Sequence, residues 1–190
     1  MMTSNTVYFS RFIVTSQVFY KSRYTYALVN LKPLVPGHVL IVPLRTQVGQ
    51  LSDLNKEETI DYFDTLQVVH QFIKWQYEAD SLNIAIQDGP EAGQTVPHLH
   101  THVIPRYRAN NKGDRIYEDL DQWRFQQWEQ RRQEYLDMGG REGRKNFAKP
   151  DDQRFARSEQ EMKEEAQHLR SQLLKFFEEY PHLKRDLSEI

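Results

Sequence analysis

Three alternating histidines, His98, His100 and His102, are the residues of this sequence best suited to chemistry. Side chains of a β-strand alternate between its two faces, so a strand here would set the three imidazoles in a row on one face. A buried imidazole needs partners for its ring nitrogens, which makes such a row costly in an ordinary core. Imidazoles do, however, exchange protons, bind metal ions and attack electrophiles. The spacing therefore indicates a site with a chemical role.

Three interpretations of the histidine row remain open on spacing alone. The histidines could be structural or surface residues. They could ligate a metal ion, because His-x-His is a common ligand spacing. Alternatively, the middle imidazole could act as a nucleophile while its neighbours position it.

The segment upstream of the histidines predicts a loop that could hold an anion. Asp88-Gly89-Pro90 is a turn signal, and Gly93 permits a close approach between backbone and ligand. Residues 82–87 alternate like a half-buried strand, so a hairpin with a long connection would lead into the histidine row. Backbone N–H groups and hydroxyls of residues 93–95 could then bind phosphate over the imidazoles.

Several blocks of sequence together resemble the histidine triad superfamily of nucleotide hydrolases and transferases. The histidine row followed by two apolar residues resembles the signature of that superfamily. The string from Gln87 to Thr95 resembles its fragile-histidine-triad branch, the diadenosine triphosphate hydrolases. Further matching blocks lie at residues 27–33, 35–45 and 114–118. The resemblance spans about residues 8–120, and a helix near 158–177 is also similar.

The resemblance implies cleavage of diadenosine triphosphate to AMP and ADP. His100 would attack the α-phosphorus and form a nucleotidyl-histidine intermediate. His98 and His102 would bind phosphate oxygens, and one of them would protonate the leaving phosphate. Asn30 would bind the ribose hydroxyls, and His38 would support the triad by hydrogen bonding. The full set of implied substrate-binding residues is Asn30, His38, Gln87, Gly93, Gln94, Thr95 and Val96.

The same resemblance implies the cofactors and partners. No cofactor would be tightly bound and the protein would hold no metal, whereas Mg²⁺ or Mn²⁺ would enter as the metal–nucleotide complex. The partners would be dinucleoside polyphosphates, adenine nucleotides and a second copy of the chain, with the two sheets joined into one across a homodimer.

Other functions compete with hydrolysis. Within the same fold, these are a purine nucleoside phosphoramidase and an mRNA-cap-scavenging hydrolase. A nucleotide-binding signalling module would use the substrate complex itself as its output. A metal enzyme would ligate zinc or manganese through His98, His100 and His102 or His38.

Composition and charge narrow the class of protein. A chain of 190 residues fits one domain with extensions, and a net charge of −2 predicts no nucleic-acid partner. The absence of Cys excludes disulfides, zinc–thiolate sites and cysteine nucleophiles. No secretory signal and no apolar run of about 20 residues is present, so no membrane partner is predicted. We expect a cytoplasmic protein, with the nucleus and mitochondria as further compartments.

The order of strands and helices expected around the histidines predicts an α+β domain with a mainly antiparallel sheet. Strands are expected at 24–30, 38–43, 82–87 and 98–104, and the resemblance implies five strands and two main helices. One helix would begin after Asn55, with Glu58 completing a capping box. Its apolar stripe would consist of Ile60, Phe63, Leu66, Ile73 and Tyr77.

Three segments are expected along the chain. Residues 1–120 would form the histidine-triad catalytic domain. Residues 121–157 would be a charged, partly disordered insertion, because they are polar and rich in glycine and basic side chains. Residues 158–190 would supply a second helix, capped by Ser158 and Glu161, that packs on the catalytic domain.

Overall fold

The structure, a computed structural model, describes residues 6–108 and 156–184. The predicted insertion at 121–157, apart from its last two residues, lies outside the described residues, as does the block at 114–118. The described elements are β1 (Tyr8–Phe9), β2 (Phe12–Ile13), β3 (Val18–Lys21), β4 (Thr25–Val29), β5 (Val39–Pro43), α1 (Lys56–Tyr77), β6 (Ser81–Ile86), β7 (Thr101–Arg106) and α2 (Glu159–Glu179).

Strands β3 to β7 form one antiparallel sheet in the order β3-β4-β5-β7-β6. Strands β1 and β2 form a separate short hairpin. The prediction of an α+β fold with a mainly antiparallel five-stranded sheet and two main helices is therefore confirmed. Strand β7, which follows the histidines, lies between β5 and β6, so the site is built on the interior of the sheet.

Both long helices contribute to a core on one face of the sheet. Alternate residues of β4 and β5, such as Ala27 and Ile41, point into this core, and Phe72 of α1 meets Phe176 of α2 there at 5.7 Å between ring centroids. Full burial of one large apolar side chain stabilises a fold by about 1.5–3 kcal/mol. Helix α2 buries six residues, namely Met162, Ala166, Leu169, Leu173, Phe176 and Phe177.

Capping boxes begin both helices, as the sequence predicts. The Asn55 side chain accepts a hydrogen bond from the Glu58 N–H, and the Ser158 side chain accepts one from the Glu161 N–H. Each cap satisfies an N–H that has no partner inside its helix. No helix in the described part of the chain is both long and apolar enough to cross a membrane.

The predicted apolar stripe of α1 is confirmed in its second half and wrong in its first: Ile73 is buried, and Leu66 and Tyr77 pack against the core. Ile60 and Phe63, assigned to the core stripe, are 57% and 43% exposed. The helix instead buries a face that includes Tyr62, whose hydroxyl donates to the Ile41 carbonyl at 3.0 Å and lies 2.7 Å from the Thr101 hydroxyl. Because Tyr62 and Phe63 are adjacent aromatic residues, apolar periodicity alone could not choose between the two faces.

A second, smaller core lies on the opposite face of the sheet. Tyr26, Leu28 and Leu40 point into it from β4 and β5. The β1–β2 hairpin contacts this side, because the Tyr26 hydroxyl donates to the Tyr8 carbonyl at 2.8 Å. In the sheet, Leu40 pairs with His102. The histidines therefore share their face with this smaller core and the hairpin.

Candidate active site

The histidine row lies at the start of β7 and only partly within it. The strand begins at Thr101, so the prediction of a strand over 98–104 is wrong at its N-terminal end. Before the strand, Leu99 donates its N–H to the Val48 carbonyl instead of joining the sheet. Side chains nevertheless alternate, with Leu99 in the helix-side core and the rings of His100 and His102 5.0 Å apart.

The tautomer of His100 follows from one main-chain contact. Its Nδ1 lies 2.8 Å from the His98 carbonyl oxygen. A carbonyl can only accept, so Nδ1 carries the proton and Nε2 of the neutral ring is unprotonated. Burial lowers the pKa of His100, and the bond to the His98 carbonyl opposes that shift. The ring is therefore neutral near pH 7 and offers the lone pair that a nucleophile needs.

His102 is oriented by His38 through a directed chain of hydrogen bonds. The Leu34 N–H donates to Nδ1 of His38 at 3.0 Å, which assigns the His38 proton to Nε2. That Nε2 lies 3.0 Å from Nδ1 of His102 and can donate to it. The remaining nitrogen of His102, Nε2, then carries a proton, so His102 becomes a hydrogen-bond donor.

Asn30 lies beside this chain. Its amide nitrogen is 3.1 Å from Nε2 of His38, and its side-chain oxygen accepts from the Lys32 N–H at 3.2 Å. Asn30 follows directly after β4, and His38 directly precedes β5. The turn between two paired strands thus brings both predicted residues together next to His102.

His98 occupies a different environment from the other two histidines. It is fully buried, and its Nδ1 accepts a hydrogen bond from the Ser10 N–H at 2.9 Å. Ser10 has φ = 54° in the β1–β2 turn, a conformation uncommon for residues other than glycine. Next to it, the Phe9 ring lies 5.6 Å from His98 and 5.3 Å from His100. His98 therefore ties the hairpin to the histidine row.

Burial also sets the charge of His98. Desolvation lowers its pKa to about 4, which the nearby main-chain oxygens of Pro43 and Arg45 offset only in part. Its buried Nε2 has no hydrogen-bond partner among the described residues. The ring is neutral over the physiological range, and this neutral form can accept from Ser10.

The loop predicted to hold phosphate begins level with His100. Because Ile86 pairs with Thr101, the next residue, Gln87, comes opposite His100 at the end of the sheet. Gly93 adopts φ = +93°, and a Cβ there would lie 3.3 Å from the Gln87 amide nitrogen. Thr95 is exposed and Val96 is half-buried. A side chain at position 93 would therefore crowd Gln87.

Two contacts hold this loop against the loop before α1. The Gln94 amide donates to the Gly49 carbonyl at 2.8 Å, so this predicted substrate-binding side chain is directed at the protein's own main chain. Asp88 accepts from the Leu51 N–H at 2.9 Å. We infer that Gln94 shapes the loop, whereas Gln87 lies at the level of the triad.

Metal ligation finds no support in the described part of the chain. Within residues 6–108 and 156–184, no group of three or more His, Cys, Asp or Glu side chains is arranged to hold a metal ion. The alternative in which His98, His100, His102 or His38 ligate zinc or manganese therefore lacks a ligand set there.

Three residues that contact the site were not predicted from sequence. They are Phe9 and Ser10 of the hairpin, and Arg157, which donates to the Asn30 carbonyl. The bond from Ser10 to His98 spans 88 residues of sequence, and that from Arg157 to Asn30 spans 127. Local motifs carry no signal for such contacts, because the fold alone brings the partners together.

Acid is expected to weaken the folded state through His98. Its pKa falls from 6.5 in the unfolded chain to about 4 in the folded protein, so between these values only the unfolded chain binds the proton. The stability that His98 contributes is complete above pH 6.5 and is lost as the pH falls towards 4. Urea titrations over this range should show a loss of about 3 kcal/mol from this residue.

A His98→Asn variant tests this assignment, since Asn keeps an acceptor for Ser10 and does not titrate. Its stability should depend less steeply on pH. The residual slope comes from other groups with a lowered pKa, among them His100 and His70, both lowered chiefly by burial. An unchanged slope would show that His98 is not the group responsible.

The chain is similar to known proteins along most of its length. A model of the HIT domain family matches residues 11–109. The bis(5'-adenosyl)-triphosphatase of Saccharomyces cerevisiae (strain ATCC 204508 / S288c) is 58% identical over 198 residues, covering 93% of this chain and 96% of the yeast protein. The bifunctional bis(5'-adenosyl)-triphosphatase/adenylylsulfatase FHIT of Arabidopsis thaliana is 42% identical over 156 residues, covering 82% of this chain and 77% of the plant protein.

Solved structures agree with these sequence similarities. The crystal structure of Plasmodium falciparum diadenosine triphosphate hydrolase in complex with Cyclomarin A superposes with a TM-score of 0.63 at 28% identity. The match covers 92% of this chain and 88% of that chain.

Proposed function

The chain belongs to the HIT domain family, in its fragile-histidine-triad branch, and from this premise we propose that it hydrolyses diadenosine triphosphate to AMP and ADP. The observation that carries the proposal is the tautomer of His100. Its proton is held at Nδ1 by the His98 carbonyl, which leaves Nε2 as a nucleophile among hydrogen-bond donors.

The first chemical step is attack of Nε2 of His100 on the α-phosphorus. A P–N bond forms while the bond from that phosphorus to the bridging oxygen breaks, and ADP leaves. Positive charge develops on the His100 ring, and the His98 carbonyl, which already accepts from Nδ1, stabilises that charge. A neutral His102 ring would become an imidazolate if it lost its one proton, so its Nε2–H instead donates a hydrogen bond to the leaving oxygen and stabilises the charge on it, and ADP departs as the anion.

Water completes the cycle. It attacks the phosphorus of the adenylyl-histidine and the P–N bond breaks. One proton of the water stays on the phosphate of AMP and the other passes to solvent, and His100 regains its lone pair. The flanking groups act mainly by positioning and by stabilising charge, as phosphoryl transfer requires. Gln87 and the backbone at Gly93, Thr95 and Val96 would hold phosphate oxygens, and Asn30 the ribose hydroxyls.

We assign His98 a role in positioning. The prediction that it contacts phosphate stays a prediction, but its hydrogen bond to Ser10 and its burial support an indirect action. By holding the β1–β2 hairpin and Phe9 over His100, it would fix the wall of the nucleotide site. Mg²⁺ or Mn²⁺ would accompany the substrate as the metal–nucleotide complex.

The test of this function is incubation of the purified protein with diadenosine triphosphate and Mg²⁺, followed by ion-exchange separation of the products. Equimolar AMP and ADP support the proposal, and rapid-quench labelling should trap adenylate on the protein. Turnover only of a phosphoramidate or a cap remnant would assign the related phosphoramidase or cap-scavenging activity. Tight binding without turnover would favour the signalling module.

A homodimer joined along β6 is also part of the proposal. Among the strands that the structure describes, β6 lies at an edge of the sheet, where its outward N–H and C=O groups can pair with a second strand, and its Ile84 is 45% exposed. Sedimentation at micromolar concentration should give a dimer. Ile84→Lys should shift it towards monomer, whereas Leu174→Lys, on exposed α2 surface, should not. A monomeric parent protein would remove the claim.

The segment boundaries and the cellular location are also part of the proposal. The boundaries of a catalytic domain at 1–120, an insertion at 121–157 and a C-terminal segment at 158–190 are tested by limited proteolysis. A cytoplasmic location, with the nucleus and mitochondria as further compartments, is tested by imaging the tagged chain.

A further inference from the structure

We propose that Arg157 is a positioning residue for catalysis: with Glu165 and Tyr77 it clamps both ends of the loop over residues 30–38, which carries Asn30 and His38. The inference rests on the proposed function for its catalytic consequence. The name "clamp" is used below for Arg157, Glu165 and Tyr77 together.

Arg157 concentrates its donors on the start of the loop. Its main-chain N–H donates to the Leu31 carbonyl at 3.1 Å, while Nε and Nη2 donate to the Asn30 carbonyl at 3.2 and 2.5 Å. Its Nη1 forms an ion pair with Glu165 at 2.5 Å. A planar guanidinium presents its N–H donors to the carbonyl and the carboxylate in a fixed fork, whereas a lysine ammonium is a compact charge without that fixed geometry.

The other end of the loop is held by Tyr77. Gly37 adopts φ = +79°, and its Cα packs so closely on the Tyr77 ring that a Cβ would lie 2.7 Å from the ring carbons. The Tyr77 hydroxyl donates to Oε1 of Glu165 at 3.5 Å, and the other oxygen of that carboxylate binds Arg157. One carboxylate thus joins the two supports.

Helix α2 fixes where the clamp stands. Arg157 immediately precedes Ser158, which caps α2, and Glu165 lies two turns into that helix. The ion pair is half-buried, with 21% and 22% of the two side chains exposed, so it is less screened by solvent than a surface pair. The position of the clamp is therefore set by the packing of α2 on the rest of the fold.

The catalytic consequence follows from what the loop carries. The Asn30 side chain extends from the residue whose carbonyl Arg157 holds, and it lies 3.1 Å from His38. His38 in turn orients His102 at 3.0 Å. A displacement of the loop by about 1 Å is enough to cost a large factor in rate or binding. Loosening the clamp should weaken substrate binding most, because Arg157 holds the carbonyl of Asn30 itself. The chemical step should suffer less, because His102 is reached only through His38 and His100 is held separately by the His98 carbonyl.

The test compares Arg157→Met, Arg157→Lys and the matched control Arg170→Met in the full-length protein. Arg170 is an arginine of α2 whose side chain also donates to a main-chain carbonyl, that of Val18. That carbonyl does not belong to the loop that carries Asn30. For diadenosine triphosphate we expect Arg157→Met to raise KM about tenfold, the equivalent of one lost charge-assisted hydrogen bond, with kcat changed less than about threefold. The KM of Arg157→Lys should lie between that of the parent protein and that of Arg157→Met. Arg170→Met should lower the melting temperature without a comparable rise in KM.

Hydrogen exchange in the nucleotide-free protein gives a second readout that does not depend on turnover. Arg157→Met should accelerate exchange of residues 31–38, whose Leu34 and His38 amides are hydrogen-bonded within the loop. Arg170→Met should leave that peptide unchanged. If Arg157→Met fails to fold, Glu165→Gln replaces it, with the same expected direction and a smaller effect.

Three results would overturn the clamp. An unchanged KM in Arg157→Met would do so, as would equal changes in KM for Arg157→Met and Arg170→Met, or unchanged exchange over residues 31–38. If the parent protein does not cleave diadenosine triphosphate, the proposed function fails. The clamp is then tested by hydrogen exchange over residues 31–38 and by the affinity for AMP in the same variants. Faster exchange and weaker AMP binding in Arg157→Met alone would support it.

Discussion

Replacing His100 with Ala is expected to lower kcat/KM for diadenosine triphosphate by at least about four orders of magnitude, as loss of a covalent nucleophile does. The physical reason is specific to this ring. It is the imidazole whose Nδ1 proton is held by a carbonyl, so its Nε2 presents a lone pair to phosphorus. Steady-state product formation measures the loss, and rapid quench should find no labelled protein.

The control for this variant is His182→Ala, since His182 is an exposed histidine in the turn after α2. It should retain the activity of the parent protein. Titration calorimetry should show that His100→Ala still binds AMP, because Asn30 and the loop at 87–96 are unchanged. Turnover close to that of the parent protein, or labelling of the His100→Ala variant, would make the nucleophile assignment wrong.

Gly37→Ala is expected to lower the free energy of unfolding by about 3 kcal/mol or more. Its φ of +79° disfavours a side chain, and a Cβ would lie 2.7 Å from the Tyr77 ring, closer than carbon atoms approach. Urea denaturation measures the change. Gly49→Ala is the matched control, because a Cβ there would meet only the Asp53 carboxylate at an ordinary 3.6 Å.

A double-mutant cycle separates the two causes of this loss. In a Tyr77→Ala background the steric conflict is absent, so Gly37→Ala should cost only the backbone strain of about 1–2 kcal/mol. If the substitution costs the same with and without the Tyr77 ring, contact with that ring is not the cause.

Local features of the site could be predicted from the sequence because each depends on neighbouring residues. Alternation placed His100 and His102 on one face and Leu99 on the other, and S/N-x-x-E spacing located both helix caps. The resemblance to the histidine triad family and the α+β fold are confirmed in the same way. These features need only strand geometry, capping chemistry and the family's pattern of motifs.

The rest could not be predicted because it depends on which distant segments the fold brings together. In the first half of α1, Tyr62 is buried in place of Phe63, and its hydroxyl contacts Ile41 and Thr101, which apolar counting does not register. His98 gained its partner from a hairpin near the N-terminus, and Asn30 gained Arg157 from the segment just before the cap of α2. No spacing rule links such pairs, so their roles appear only in three dimensions.

The contribution of α2 to the helix-side core has a consequence for how the chain folds during synthesis. Chains emerge from the ribosome N-terminus first, and α2 follows the whole segment between β7 and Glu159. Until then Phe72 lacks Phe176, and the apolar side of the sheet has no second helix to cover it. The contacts of α2 with the sheet join residues that are distant in sequence, so they raise the contact order of the fold. A higher contact order slows folding, and the apolar face of the sheet stays exposed for longer. The nascent chain therefore exposes apolar surface that the complete fold buries under α2.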